Sequence, residues 1–252
     1  MKIFKNWNFS FSTFVLTSLF GVAYGTIALL PQFLQNLLGY DSFLSGLAAG
    51  PMGLGTISGV ALTTATSKKL DLKGQTIMGL IIFSIGCVMF STLNLNIAFS
   101  NVVIPNIVLG LGMSSVIIPC TTLVFSRVSK AEMTNAASLQ NLVKNVGCAI
   151  GTSSVGFLVS SYSQTYQSYL VDKMNFLYAP FAAKVSALTA QFSHLGYDIN
   201  TAIGMAQVKI YQQLAQQSIL CAYLNSYKIY AVMIVLLIPV VCFIKSYSPN
   251  EN

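Results

Sequence analysis

Six apolar stretches, residues 12–37, 43–65, 75–92, 99–124, 136–160 and 223–244, take up most of this 252-residue chain, and none of them contains an Asp or a Glu. Each is near the ~20 residues that an α-helix needs to cross a hydrocarbon core. Inside lipid every backbone N–H and C=O must find its partner within the protein, which leaves helices or a closed barrel, and runs of this length select helices. Charged residues make up 8% of the chain and apolar residues 54%, whereas ordinary soluble domains carry about 25% charge. The sequence therefore predicts an all-α, polytopic membrane protein with six transmembrane helices in a lipid bilayer. A cleaved signal peptide is the competing account of the first stretch, because Lys2 and Lys5 make a basic start. That apolar run is too long, lacks a small-residue cleavage pattern and is followed by further spans.

Basic residues then set the orientation, since Lys and Arg collect in short cytoplasmic loops. An internal amino terminus puts Lys2, Lys5, Lys68, Lys69, Lys73, Arg127, Lys130 and Lys245 in the cytoplasm and leaves the short outer loops, residues 36–42 and 93–98, without Lys or Arg. The expected organisation is a cytoplasmic segment 1–11, five spans within 12–160, an extracytoplasmic segment 161–222, a sixth span 223–244 and a cytoplasmic tail 245–252, in the cell (inner) membrane with both termini inside. Lys173, Lys184 and Lys209 fall in the long outer segment, which crosses with little regard to charge. Lys228 among Tyr223, Tyr227 and Tyr230 reads as an interfacial belt. Residues 200–220 read as a helix capped at Asn200 or Thr201, which either lengthens the last span outward or belongs to a loose loop.

Other classes of function find little support. The net charge of +7 is explained by topology, so no nucleic-acid partner is called for. Five cysteines, with no CxxC pair and all within or beside spans, give neither a disulfide framework nor a zinc site, and no metal or cofactor is expected. His194 near Asp198, with no cluster of acids around it, does not make a catalytic site.

Helix faces carry the sharper expectations. In the second span Gly46, Gly50 and Gly53 share one face and Gly55 and Gly59 the opposite one, which predicts a helix packed on both sides. Pro51 after Gly50 predicts a kink there, as do Pro105 and Pro119 in the fourth span and Pro239 in the sixth. In the fifth span Gln140, Asn141, Lys144, Gly147, Cys148 and Gly151 form one stripe about 120° wide, with Leu142, Val143, Val146, Ala149 and Ile150 on the other side. A lysine inside a span costs ~2.5–3.5 kcal/mol on insertion scales. Lys144 therefore either lines a pathway or pairs with an acid from another helix, or it snorkels to the cytoplasmic interface.

Three local patterns, in order along the chain, resemble the carboxy-terminal half of a major facilitator superfamily transporter of the fourteen-span, EmrB/QacA-like drug:proton antiporter branch. They are Leu29-Leu30-Pro31-Gln32-Phe33-Leu34-Gln35 with Leu38-Gly39-Tyr40, Ser45-Gly46-Leu47, Pro51 and Gly53; Pro105 through Gly110 and Gly112 to Pro119-Cys120-Thr121-Thr122; and Asn141 through Lys144 to Gly147 and Ile150-Gly151-Thr152. The family often has Arg where Lys144 stands. Its basic cytoplasmic motif is degenerate here, as Lys68-Lys69-Leu70-Asp71-Leu72-Lys73-Gly74. The resemblance implies one six-helix half-bundle that packs against a second, with a lipophilic small molecule bound between them near the midplane and access alternating by rocking. The candidate pathway residues are first Lys144 with Gln140 and Asn141 and second Asn106 of the fourth span, with Gly46, Gly50, Pro51, Gly53, Gly147, Gly151 and Pro119 as packing or hinge positions.

The family's membrane acidic residues and its antiporter motif belong to the first half, and they have no counterpart in this sequence. Three functional expectations follow. One is a half-transporter exporting drugs together with a second half; another is a homodimeric facilitator; the third is a membrane protein that does not transport, a split-gene remnant or a binding partner.

Overall fold

The computed structural model describes residues 7–94, 100–126, 128–171 and 179–244. Expectations that rest on Lys2, Lys5, Arg127, Lys173 or Lys245, on most of the loop 93–98 and on the terminal segments 1–6 and 245–252 lie outside these described residues. Among the described residues the regular elements are all helical: α1 (Trp7–Leu38), α2 (Ser42–Ala49), α3 (Pro51–Thr66), α4 (Leu72–Phe90), α5 (Ser100–Phe125), α6 (Met133–Val171), α7 (Ala179–His194) and α8 (Ile199–Cys242), with one 3-10 turn at Lys130–Glu132. Six helical spans, with α2 and α3 counted together, are long and apolar enough to cross a membrane. The chain divides into two compact units, Met1–Gly156 with Leu224–Asn252, and Phe157–Tyr223.

In the first unit the chain's few acids start helices. Asp41 accepts the Leu44 N–H at 2.7 Å and Asp71 accepts the Gly74 N–H at 3.0 Å, each satisfying one donor that the first turn leaves orphaned. Gly39, at φ +69°, ends α1 in the left-handed region that only glycine enters cheaply, and the Tyr40 N–H turns back to the Leu34 carbonyl at 3.1 Å.

Pro51 divides the second span, but not by the route expected. Gly50 keeps right-handed helical angles, φ −52° and ψ −43°, because without a Cβ it avoids most of the clash that a following proline imposes. The break comes from the missing N–H: the Gly50 N–H tightens onto Leu47 at 3.2 Å and the Gly53 N–H onto Gly50 at 2.9 Å. Pro105, Pro119 and Pro239, by contrast, lie within helices that are continuous through them.

Helix α5 sits between α3 and α4 at glycine-lined crossings. A Cβ added at Gly55 would fall on the Ile107 carbonyl, at Gly110 on the Met52 carbonyl, and at Gly112 on the Phe83 backbone. Such notches let backbones meet where lipid offers no hydrophobic drive to push helices together. Phe83 meets Gly112 and Val116 meets Gly79, and both side chains are buried, as are Phe90, Leu123 and Leu16. Gln75 adds a polar tie, donating to the Thr63 carbonyl at 3.3 Å.

The part of α8 from Leu224 onward closes the unit. Tyr227 stacks on Phe90 at 4.9 Å between centroids, Ser84 donates to the Ala231 carbonyl at 3.4 Å, and the Trp7 indole donates to the Phe243 carbonyl at 3.0 Å. This corrects the reading of Tyr223, Tyr227 and Tyr230 as an interfacial belt. All three are buried, whereas Lys228 is exposed. Positions 223, 227 and 230 recur at helical spacing on one face, and that face is apolar enough to bury.

The second unit is helical too. Its α6 portion reaches Val171, well past the expected end at residue 160, and no Gly or Pro stands between Phe157 and Val171 to stop it. Helix α7 ends in a Schellman turn: Gly196 has φ +92°, with the Tyr197 N–H on the Phe192 carbonyl at 3.3 Å and the Gly196 N–H on Ser193 at 3.0 Å. The rings of Phe192 and Tyr197 meet edge to face at 6.4 Å. Helix α8 is capped by Asp198, which accepts the Asn200 N–H at 3.2 Å, rather than by Asn200 or Thr201. The Gln167 amide donates to the Tyr211 hydroxyl at 2.7 Å.

Candidate functional site

The polar stripe of the fifth span packs against α1. A Cβ added at Gly151 would strike the Gly21 carbonyl, and one at Gly147 would lie 2.7 Å from the Thr17 carbonyl. The pairs 17 with 147 and 21 with 151 rise together, so the two helices run parallel with a repeat of four residues. Gln140, Gly147 and Gly151 are buried, Lys144 and Cys148 half-buried and Asn141 exposed, while Leu142, Val146 and Ile150 project outward.

Lys144 therefore stands at the margin of a tight helix contact. Its ammonium lies over the Phe20 ring, 5.3 Å from the centroid, a geometry worth ~0.5–2 kcal/mol depending on hydration. Its separation from Ala136, eight residues earlier, is roughly 12 Å along the axis.

One turn or so beyond, α1, α6 and α8 meet at a hydroxyl pair. The Tyr230 and Ser154 hydroxyls are 2.7 Å apart, and a Cβ at Gly25 would overlap the Tyr230 hydroxyl. Tyr230→Phe is expected to lower stability by about 0.5–1.5 kcal/mol, the net worth of one such bond, read as a shift in thermal unfolding of the purified chain.

Asn106 is placed elsewhere. It is buried, and its Nδ2 donates to the Ala48 carbonyl at 2.7 Å, beside the break at Pro51. A small cavity of about 20 Å³, lined by Thr26, Met52, Phe90 and Asn106 among others, adjoins it. The geometry gives Asn106 a packing task at the elbow between α2 and α3, and it does not bring Asn106 together with Lys144, Gln140 or Asn141.

Of the second-span glycines, Gly55 and Gly59 meet α5, whereas around Gly46 and Gly53 a Cβ would find open space. Within the described residues the span is packed on one face only. Gly50 meets only its own helix, at the Leu47 carbonyl, and Pro119 lies inside α5. Lys68 and Lys69 are exposed, Lys73 half-buried, and Asp71 is the cap of α4 already described.

A second hollow, of about 440 Å³, belongs to the second unit and is lined by Phe192, Thr201, Gly204, Met205, Val208, Lys209 and Gln212. Sequence reasoning missed it, and it missed Thr17, Phe20, Gly21 and Gly25 on α1. The spacing 17, 21, 25 of small residues was the available signal.

Comparison with known proteins follows the same lines. The model of the Major Facilitator Superfamily matches residues 1–152. The multidrug export protein EmrB of Escherichia coli (strain K12) is 24% identical over 222 residues, 87% of this chain and 42% of that protein. The probable multidrug resistance protein EmrY of the same strain is 22% identical over 247 residues, 97% of this chain and 46% of that protein. The fatty acid resistance protein FarB of Neisseria gonorrhoeae is 24% identical over 245 residues, 97% and 47% respectively. The chain spans about half the length of the curated relatives it matches. Six helical spans in a bilayer, joined by glycine-lined crossings, and a family match over more than half of the residues lead to one conclusion: this chain is a multi-pass membrane protein that belongs to the Major Facilitator Superfamily.

Proposed function

We propose that these residues form one six-helix half of an exporter of lipophilic, drug-like compounds, working with a second six-helix half supplied by further sequence, a separate chain or another copy. The observation that carries the reading is the pattern of likeness: relatives named for multidrug export or multidrug resistance match 87% and 97% of this chain with under half of their own length. The uncovered glycine face of the second span, Gly46 and Gly53, supports it as a place for a second bundle to lie. In this reading the membrane is the inner one, both termini face the cytoplasm, and Lys68, Lys69, Lys73 and Lys130 keep to that side. Gln140, Asn141 and Lys144 line the edge of the substrate path.

Coupling to protons requires a titratable group in the path, usually a carboxylate. The six apolar stretches of this chain have none, so the second half supplies it.

Efflux of a fluorescent lipophilic dye is the test, measured for this chain alone, with a matching first half, and as a covalent fusion to that half. Export in either assembled form and none from the chain alone is expected. Absence of export in every form would defeat the reading. Gly53→Leu is expected to block co-purification of the two halves while leaving the melting of this chain unchanged.

A further inference from the structure

Two prolines interrupt the backbone ladder beside one cavity. Pro51 divides the second span, and Pro31 lies inside α1, which runs unbroken through it. A helical carbonyl receives the N–H four residues on, and Pro31 has none to give. The carbonyl it fails to serve is that of Ile27. Ile27 borders the cavity of about 20 Å³ beside Asn106, together with its neighbour Thr26, with Ala49 and Met52 on either side of the Pro51 break, and with Phe90 of α4.

The polar groups around this cavity are acceptors. Thr26 is buried and gives its proton to the Ala23 carbonyl at 2.8 Å, so its Oγ1 has only lone pairs left. Asn106 is buried too. Its Nδ2 is held by the Ala48 carbonyl at 2.7 Å, and its Oδ1 accepts no hydrogen bond from the described residues. The side chains of Ala49, Met52 and Phe90 donate nothing. Buried acceptors left without donors are costly, so these walls select a small ligand that brings donors of its own.

Water brings two O–H groups. A cavity needs about 10–15 Å³ to hold one water, and a buried water makes about three hydrogen bonds. A bare cation also suits acceptors, but its desolvation requires a negative charge nearby to offset it, and the six apolar stretches contain no carboxylate.

We propose that this cavity binds one ordered water, which donates to Asn106 Oδ1 and Thr26 Oγ1 and has the Ile27 carbonyl as its alternate acceptor. The water ties α1 to α5 at the elbow of the second span and makes the place a hydrated joint. Bending at Pro31 or at Pro51 then exchanges one acceptor for the next and strands no carbonyl. The site goes beyond the export reading and needs no second half, so its outcome is independent of any efflux result.

X-ray hydroxyl-radical footprinting of the full chain in phosphatidylcholine nanodiscs is the test, because radiolysis turns bound as well as bulk water into radicals that oxidise the adjoining side chain. Phe90 is the reporter. Phe83, about two turns earlier on α4 and also fully buried, is the control. Phe90 is expected to be oxidised faster than Phe83 in the wild type. Thr26→Val keeps the shape and removes the hydroxyl, and it lowers the Phe90 rate by roughly two- to fivefold, the worth of one net hydrogen bond. Thr26→Ser retains the wild-type rate.

Equal rates for Phe90 and Phe83 in the wild type, where no variant has to fold, overturn the proposal. So does a fast Phe90 that Thr26→Val leaves unchanged, since the radicals then come from bulk water at the end of α4. Replacing sodium by choline in the buffer separates water from a cation. An unchanged Phe90 rate supports water, and a changed one assigns the acceptors to sodium and overturns the water site.

Discussion

Gly55→Ala is expected to lower the stability of the purified chain by about 1–3 kcal/mol, while Gly53→Ala, two residues away on the same helix, leaves it unchanged or raises it by up to ~1 kcal/mol. The added methyl at Gly55 would lie on the Ile107 carbonyl, 2.8 Å from its carbon and 2.9 Å from its Cα. Backbone cannot swing aside as a side chain does, so α3 and α5 must separate and their neighbours lose dispersion contacts. At Gly53 the methyl meets nothing within 4 Å, and alanine stabilises a helix by restricting the unfolded chain. Gly151→Ala belongs with Gly55, because its methyl would strike the Gly21 carbonyl. Cys87 and Cys120 are buried and free, whereas Cys148 and Cys221 are half-buried and Cys242 is exposed, so a thiol-reactive dye follows unfolding once those three are replaced by serine. Identical melting of the two alanine variants would mean that α3 and α5 do not meet backbone to backbone at Gly55.

Asn106→Ala is expected to cost about 1–3 kcal/mol, the range for leaving a buried polar group unpaired. In an unbroken helix the Ala48 carbonyl would receive the Met52 N–H four residues on. At the Pro51 break it instead receives the Asn106 amide at 2.7 Å, a bond that also joins α5 to the end of α2. Asn106→Asp keeps the size but removes the donor, so it should fare no better than alanine. Pro51→Ala returns an N–H to the elbow and lets the helix straighten. In a double-mutant cycle the cost of Asn106→Ala should therefore shrink in the Pro51→Ala background, with a coupling of about 0.5–3 kcal/mol. Strict additivity in thermal melts would show that the break and the clasp are unrelated.

The spans were legible in the sequence because length and the exclusion of acids are properties of single stretches. The orientation of the fifth span was legible for a similar reason: Gln140, Gly147 and Gly151 share one face, and an amphipathic helix buries one face. What met that face was not legible. Nothing in Thr17, Gly21 or Gly25 points across more than a hundred residues to α6, and a four-residue repeat of small side chains occurs in many spans. Asn106 illustrates the same limit. A lone amide inside a span reads as a path residue until its partner is seen, and that partner is the Ala48 carbonyl at the helix break before Pro51. The tyrosines of α8 misled because Tyr beside Lys is a frequent interfacial pattern. Their spacing carried the better signal.

The parallel notch between α1 and α6 also sets an order of events during synthesis. Gly21 is made and inserted long before Gly151, and at ~5–20 residues per second the wait is on the order of ten seconds. Throughout that interval the first helix sits in the bilayer with its small-residue groove filled by lipid or by another protein, and the fifth helix must displace that occupant to dock.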